Sequence, residues 1–176
     1  MGFQTSYASA PDSSKLGQLD GIGPTDKVTG YSAAVMPFGR CASYDAAQDK
    51  VKLPAAATDV LDANTESRPA AGIVMAQMDL EEQVANVLGV AGANVPSYPI
   101  GRPFTLIRKG RVWVWSEQAV SPSDQVFVRY TANGDEKVGN FRKDGDTSKA
   151  ALLKGARFAT ITTAAGLVLL EINLPN

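Results

Sequence analysis

The sequence predicts an all-β protein, either a small antiparallel β-barrel or a jelly-roll-like sandwich. An extended N-terminal arm and at most one or two short helices complete this prediction. Short apolar runs separated by turn-forming clusters dominate the chain from residue 98 onward, as is typical of sandwiches and barrels. Sixteen Gly and ten Pro in 176 residues favour many turns, and 44% apolar with 20% charged residues indicates a globular chain. A chain of this length supports one ordinary core, so we expect a single domain.

The strand candidates follow from apolar runs bounded by turn residues. Pro37 interrupts the run Val28–Ser43, which therefore favours an edge strand or two short strands. Gly72–Gln77 predicts a short buried strand, and Asp79–Leu88 has the apolar spacing of a short helix. The strands expected in the second half are Phe104–Lys109, Arg111–Gln118, Gln125–Thr131, Lys137–Arg142, Arg157–Thr163 and Leu167–Leu174.

The stretch 105–116 is the most informative part of the chain. Two apolar runs flank the basic segment Arg108–Arg111, which predicts a hairpin with an exposed turn. In the second run, period-two alternation places Val112 and Val114 on one face and Trp113 and Trp115 on the other. The tryptophans either fill a core, the interpretation that the sequence favours, or form a contact surface.

Residues 1–27 are predicted to form an extended N-terminal arm, followed by one β-rich domain over residues 28–176. The arm is rich in Ser, Gly and Pro, and Phe3, Tyr7 and Leu16 are among its few large apolar side chains. About 25 extended residues can span roughly 80 Å, enough to reach a neighbouring subunit. Composition alone fits a floppy tail equally well. Within the domain, the Ala- and Asp-rich residues 45–68 predict an irregular excursion, with one helical turn near Asp59–Asn64.

The composition argues against most catalytic and metal sites. The chain has no His and one cysteine, Cys41, for which a buried structural thiol is the favoured state. We therefore expect no catalytic residues, no cofactor and no metal, and Glu117 and Glu171 are interpreted as solvated edge residues. No transmembrane helix or signal peptide is expected.

The net charge of −1 gives the chain no electrostatic reason to bind nucleic acid directly. The charge is unevenly distributed: residues 1–100 hold 6 Lys/Arg against 11 Asp/Glu, and residues 101–176 hold 11 against 7. This charge asymmetry is suited to orienting one subunit on another or on a scaffold, but it does not identify the partner.

Read as a whole, the chain resembles the structural cement (decoration) proteins of tailed-phage heads. Five segments carry the likeness: Met1–Tyr7, Met36–Arg40, Leu106–Val114, Gln125–Tyr130 with Gly139–Arg142, and Gly155–Phe158 with Gly166–Ile172. The fourth segment looks like the family's second hairpin, and the fifth looks like its closing strand pair. The resemblance implies a non-enzymatic protein on the outer surface of the virion capsid. It implies a homodimer or homotrimer that bridges major capsid protein subunits and holds the shell against internal pressure.

A partner-binding hypothesis follows for the arm and the basic segment, with no membrane and no direct nucleic-acid contact. Its residues are Phe3, Tyr7, Leu16, Arg108, Lys109 and Arg111. The alternative function is a carbohydrate-binding β-sandwich module that stacks sugars on Trp113 and Trp115. A weaker third possibility is an enzyme whose carboxylates assemble only in space.

Overall fold

The computed structural model describes residues 15–21, 23–45, 49–60, 70–76 and 96–174, and these form thirteen strands. The strands are β1 (Leu19–Asp20), β2 (Asp26–Tyr31), β3 (Met36–Pro37), β4 (Cys41–Asp45), β5 (Lys50–Lys52), β6 (Ala70–Val74), β7 (Ser97–Tyr98), β8 (Pro103–Ser116), β9 (Phe127–Arg129), β10 (Phe141–Arg142), β11 (Ala150–Leu152), β12 (Ala156–Phe158) and β13 (Gly166–Asn173). A single 3₁₀ turn, Ala57–Asp59, completes the described elements. The all-β prediction is confirmed, whereas the helix predicted over Asp79–Leu88 lies outside the described residues.

Eleven of the strands form one sheet, and β3 with β7 forms a separate pair. The main path runs β11-β9-β10-β8-β6-β4-β5, while β1, β2 and β13 also pair with β8, and β12 pairs with β13. Every pairing between named strands is antiparallel except β10 with β8. The described strands do not close into a barrel and form a sandwich-like arrangement. No helix among the described residues has the length and hydrophobicity needed to cross a membrane.

Strand β8 is paired along both of its edges. Its residue Lys109 lies opposite both Asp26 of β2 and Asn173 of β13, so β2 and β13 must occupy opposite edges. Ile107 lies opposite both Lys27 of β2 and Ile73 of β6, so β6 occupies the same edge of β8 as β13. The 14 residues of β8 therefore organise the sheet.

The hairpin predicted within 105–116 is wrong, because β8 runs through Arg108–Arg111 without turning. Asp26 pairs with Lys109 and Lys27 pairs with Ile107, which leaves Arg108 as an extra residue facing β2. Such a β-bulge shifts the side-chain alternation by one residue. The basic segment interrupts the apolar pattern as a turn would, yet it lies inside one strand.

Other sequence predictions fare better. The expected buried strand near Gly72 is β6, all of whose residues are buried. The pairing of β9 with β10 confirms the second hairpin, and the pairing of β12 with β13 confirms the closing pair. The excursion over 45–68 contains β5 and the 3₁₀ turn in its described part.

Residues 15–27 were assigned to the extended arm, but their described part includes β1 and the start of β2, which pair with β8.

The bulge divides the apolar interior into two clusters. The larger one contains Ile107, Val112 and Val114 of β8, packed with residues of β9, β10, β12 and β13. The smaller one contains Phe104 and Leu106 of β8 with the residues around β3, β4 and β6. Ile107 has an odd number and Val112 an even one, yet both face the larger cluster, as the one-residue shift requires.

A buried ion network joins the end of β8 to β9, β10 and two loops. The Arg129 side chain is fully buried, and its Nε donates to Glu117 Oε1 at 2.8 Å and to Oε2 at 2.9 Å. Arg142 Nη1 lies 3.3 Å from Glu117 Oε2, so two arginines share one buried carboxylate. At the solvent side, Arg129 also pairs with Asp146 at 2.8 Å and with Glu136.

The expectation that Glu117 is a solvated edge residue is therefore wrong, because its side chain is 2% exposed and fully paired with arginine. Burial by itself lowers the pKa of Arg129, but hydrogen bonds to Glu117 and Asp146 outweigh it, and the pKa is raised. The hydrogen bond from Arg129 is the main reason that the pKa of Asp146 is lowered. A carboxylate whose pKa is lower in the folded than in the unfolded state stabilises the fold at pH values above the unfolded-state pKa. This stabilisation is lost as the pH falls through the folded-state pKa.

We predict that Gly110→Ala destabilises the protein by about 1–3 kcal/mol because of the backbone at the centre of β8. Gly110 has φ 131°, which L-residues rarely adopt, and a Cβ there would lie 3.1 Å from Thr25 Cγ2. The free energy of unfolding, from urea titration, measures the effect. The control is Gly166→Ala, where a Cβ meets nothing within 4 Å. Equal losses in both variants would contradict the prediction.

We predict that Glu117→Gln destabilises the fold by about 3 kcal/mol, because it leaves buried Arg129 without its main counter-charge. The matched control is Glu171→Gln, which also loses two arginine partners, Arg111 and Arg157, at a partly exposed site. That variant should lose less than about 1 kcal/mol. Urea midpoints at pH 7 compare the two, and a control variant as unstable as Glu117→Gln would refute the role of burial.

Candidate interaction surface

The candidate surface is the outer face of β8, which we define as the side chains of Lys109, Arg111, Trp113 and Trp115 together with the β13 residues opposite them. Directly paired residues point to the same side of a sheet. The opposite partners are Asn173, Glu171, Leu169 and Leu167, in that order. Cationic residues thus occupy one end of the face, and apolar residues occupy the other.

The tryptophans lie on this outer face rather than in the core. Trp113 and Trp115 are partly exposed, and neither belongs to a core cluster. Their neighbours Val112 and Val114 are fully buried in the larger cluster. The interpretation that the sequence favoured, tryptophans as core filling, is therefore wrong. The core position that was expected for the tryptophans is occupied by Val112 and Val114, whose side chains face the larger cluster.

The cationic residues at one end of the face are neutralised by carboxylates on both neighbouring edges of β8. Glu171 accepts hydrogen bonds from Arg111 Nε at 3.0 Å and from Arg157 Nη2 at 3.1 Å. The hydrogen bond from Arg157, followed by that from Arg111, lowers the pKa of Glu171. Lys109 is exposed at the end of the row. On the other edge of β8, Asp20 pairs with Arg111 and Asp26 pairs with Lys109, so this end of the face carries cations and carboxylates with no net excess of either.

The structure separates the residues of the partner-binding hypothesis. Lys109 and Arg111 lie together on the outer face, whereas Arg108 is 4% exposed, so the prediction that it sits on an exposed turn is wrong. Leu16 packs partly buried against the smaller core cluster of its own chain. Phe3 and Tyr7 lie outside the described residues.

The described start of the chain runs beside the tryptophans. Gly17 N donates to Trp113 O at 2.8 Å, and Trp113 N donates to Gln18 O at 2.9 Å. A Cβ at Gly17 would lie 2.7 Å from backbone atoms of Val74 and Ala76, so only glycine permits this close approach. Gly17 and Gln18 therefore lie beside Trp113, on the edge of β8 opposite β13.

The single thiol is buried in the fold, as predicted. Cys41 is 1% exposed in β4, and burial raises the pKa of its thiol to about 12, which keeps it neutral. Within the described ranges, no group of three or more Cys, Asp or Glu side chains is arranged to hold a metal ion. The chemistry that the outer face offers is binding, through stacking, apolar contact and charged side chains of both signs.

Sequence reasoning missed Leu167 and Glu171 as parts of this surface, and Leu169 as the buried residue between them, because no local signal reveals which strand lies beside β8. The complementary charges of Arg111 and Glu171, which face each other across the strands, are the one usable hint.

Comparison with known proteins identifies the family. A family model described as structural cement protein, of the type of E217 gp24 and Pam3 gp6, matches residues 3–173. A chain of "The capsid of Myoviridae Phage XM1" shares the fold, with a TM-score of 0.64 and 17% identity over 98% of both chains. A chain of "The crystal structure of head fiber gp8.5 N base in bacteriophage phi29" gives a TM-score of 0.42 and 12% identity over 85% of this chain and 94% of that one. No curated protein matches. Because the family model covers nearly the whole chain, the protein belongs to the structural cement proteins of phages.

Proposed function

We propose that this protein is a capsid cement protein that binds the outside of a phage head as a homodimer or homotrimer. In this role it bridges neighbouring major capsid protein subunits and stabilises the shell against the pressure of the packaged DNA. The observation that carries the proposal is the family match over residues 3–173, which includes the N-terminal segment as well as the strands. The protein acts by binding alone and performs no catalysis.

The interior supports this role because a cement must transmit load without deforming. Strand β8 is hydrogen-bonded along both edges, and the fully buried Arg129 ties β9 to the residue that follows β8. A stiff body with several weak contacts binds tightly to a lattice, because each contact raises the effective concentration of the next.

Two parts of the chain supply the contacts in this proposal. Lys109 and Arg111 on the outer face meet an acidic surface of the shell or of a neighbouring copy. Gly17 and Gln18 lie beside Trp113, and a segment of 14 residues such as 1–14 spans about 45 Å when extended. That distance is comparable to the diameter of a domain of this size. Phe3 and Tyr7 are its large apolar anchors, while Leu16 fixes its base to the domain.

A second candidate function keeps the tryptophans as a sugar-binding platform. The partial exposure of Trp113 and Trp115, two residues apart on one face, is the observation that favours it. Aromatic side chains in this arrangement stack on the apolar faces of sugar rings. In this case the protein is a carbohydrate-binding module that attaches the particle to cell-surface glycans.

We predict that deleting residues 1–14 lowers occupancy on the shell at least tenfold without unfolding the protein. The cut spares residues 15–20, which contact β8. Purified protein is added to preformed shells of the major capsid protein that lack it, and bound copies per capsomer are counted by quantitative electrophoresis and cryo-electron microscopy.

The double substitution Phe3→Ser with Tyr7→Ser should reproduce the effect of the deletion, because it removes the two anchors. The matched control, Thr5→Ala with Ser9→Ala, should bind as the wild type does. Wild-type occupancy in the deletion variant would reject the arm, and failure of the wild type to bind would reject the cement role itself.

We predict that tryptophan emission shifts to shorter wavelength when the protein binds shells and stays unchanged on titration with glycans. The chain contains two tryptophans, and both lie on the outer face of β8, so the emission reports on this face alone. A glycan-dependent change that Trp115→Leu abolishes would favour the carbohydrate-binding module instead.

A further inference from the structure

An apolar tip, formed by Tyr31, Val35 and Ile100, is exposed at the start of β8. Their exposed fractions are 56%, 50% and 66%, and Ile161 is the other strongly exposed large apolar side chain among the described residues. Tyr31 pairs with Pro103, the first residue of β8, and Met36, which follows Val35, pairs with Tyr98, two residues before Ile100. Three of these four side chains are thus collected at one end of the sheet.

The backbone holds the tip in a fixed shape. Buried Ser32 donates through Oγ to Pro99 O at 2.6 Å, and Gly101 N donates to Ser32 O at 2.9 Å. Ile100 occupies the corner of a tight turn in which Arg102 N reaches Pro99 O at 3.4 Å and Gly101 has φ 75°. Turn corners usually carry polar residues, and nothing in this turn requires isoleucine. The exposed Ile100 therefore points to a function outside the chain.

We infer that the apolar tip is a second shell-binding site, which inserts into an apolar recess of a major capsid subunit bordered by a carboxylate. The inference rests on the proposed cement function and adds to it the surface that reaches a second subunit. Bridging needs two separated contacts, and residues 17 and 18, which form the base of the proposed arm, lie beside Trp113, ten residues along β8 from Pro103. That spacing corresponds to about 30 Å along a strand.

The charge at the tip favours the shell over a second copy of this chain. The segments 31–36 and 98–103 carry one charged residue, the exposed Arg102, and no carboxylate. In a two-fold dimer through the tip, both copies would bring Arg102 to the same contact without a counter-charge. Three partly exposed side chains also offer much less than the roughly 800 Å² per partner that a stable dimer buries. A small contact suffices when it is one of several on a repeating lattice.

The test compares two exposed isoleucines at opposite ends of the sheet. Ile100→Ser removes the centre of the tip, whereas Ile161→Ser changes a side chain that is 69% exposed and adjoins Thr162, the bridge partner of Val120 beyond the end of β8. Each purified variant is titrated onto preformed shells of the major capsid protein. We expect at least a tenfold loss of affinity for Ile100→Ser and a change of less than twofold for Ile161→Ser. Arg102→Glu, a change at an exposed residue, should weaken binding by a similar factor and make it less sensitive to salt.

The outcomes separate this inference from the proposed function. If the wild type does not bind shells, both fail. If the wild type, Ile100→Ser and Arg102→Glu all bind equally, the cement role stands and the tip is overturned as a shell contact. Sedimentation of the free protein supplies the remaining arm: a smaller oligomer for Ile100→Ser alone would mean that the tip joins copies of this chain, and would also overturn the inference. Equal losses of shell affinity in Ile100→Ser and Ile161→Ser would also overturn the inference.

Discussion

The structure depends on hydrogen bonding along both edges of β8. A 14-residue strand with both edges occupied cannot slip in register without breaking ladders on two sides at once. This constraint fixes which residues face inward and which face outward over the length of the sheet. The bulge at Arg108 then lets one strand serve two apolar clusters, because it reverses the alternation between Ile107 and Val112. The outer face is built on this single strand, and the apolar tip lies at its start.

The protein uses the same charged residue types in two different ways. Arg129 and Glu117 are withdrawn from water, where their pairing has low screening and holds the end of β8 against β9. Arg111 and Glu171 form a pair of similar length at the surface, where water and salt weaken it. The buried pair gives shape to the fold, whereas the partly exposed pair leaves the basic residues around it able to meet a partner. Distance alone does not distinguish these roles; burial does.

Much of the β architecture was predictable because strand formation is encoded locally. Apolar runs located β6, β9 and β13, and the turn residues between them located the β9–β10 and β12–β13 pairs. The errors concern tertiary context. A bulge and a turn interrupt an apolar pattern in the same way, so Arg108–Arg111 was wrongly assigned to a turn. The missed signal of a bulge is that the apolar positions change from an odd residue number at Ile107 to an even one at Val112. The burial of Glu117 depends on arginines 12 and 25 residues away, which no local pattern connects. The surface position of the tryptophans likewise follows from which strands cover Val112 and Val114.

The place of β13 after the other described strands in chain order has a consequence for synthesis on the ribosome. Its eight residues pair with Lys109–Ser116, and they are translated after every other strand of the sheet. Until they emerge, the newly made chain presents an open, apolar edge of β8 to other nascent chains, the kind of edge to which stray strands add. Pairings between distant segments also form slowly. The sheet is therefore most open to aggregation in the interval before β13 emerges, and the pairing of β13 with β8 closes that edge.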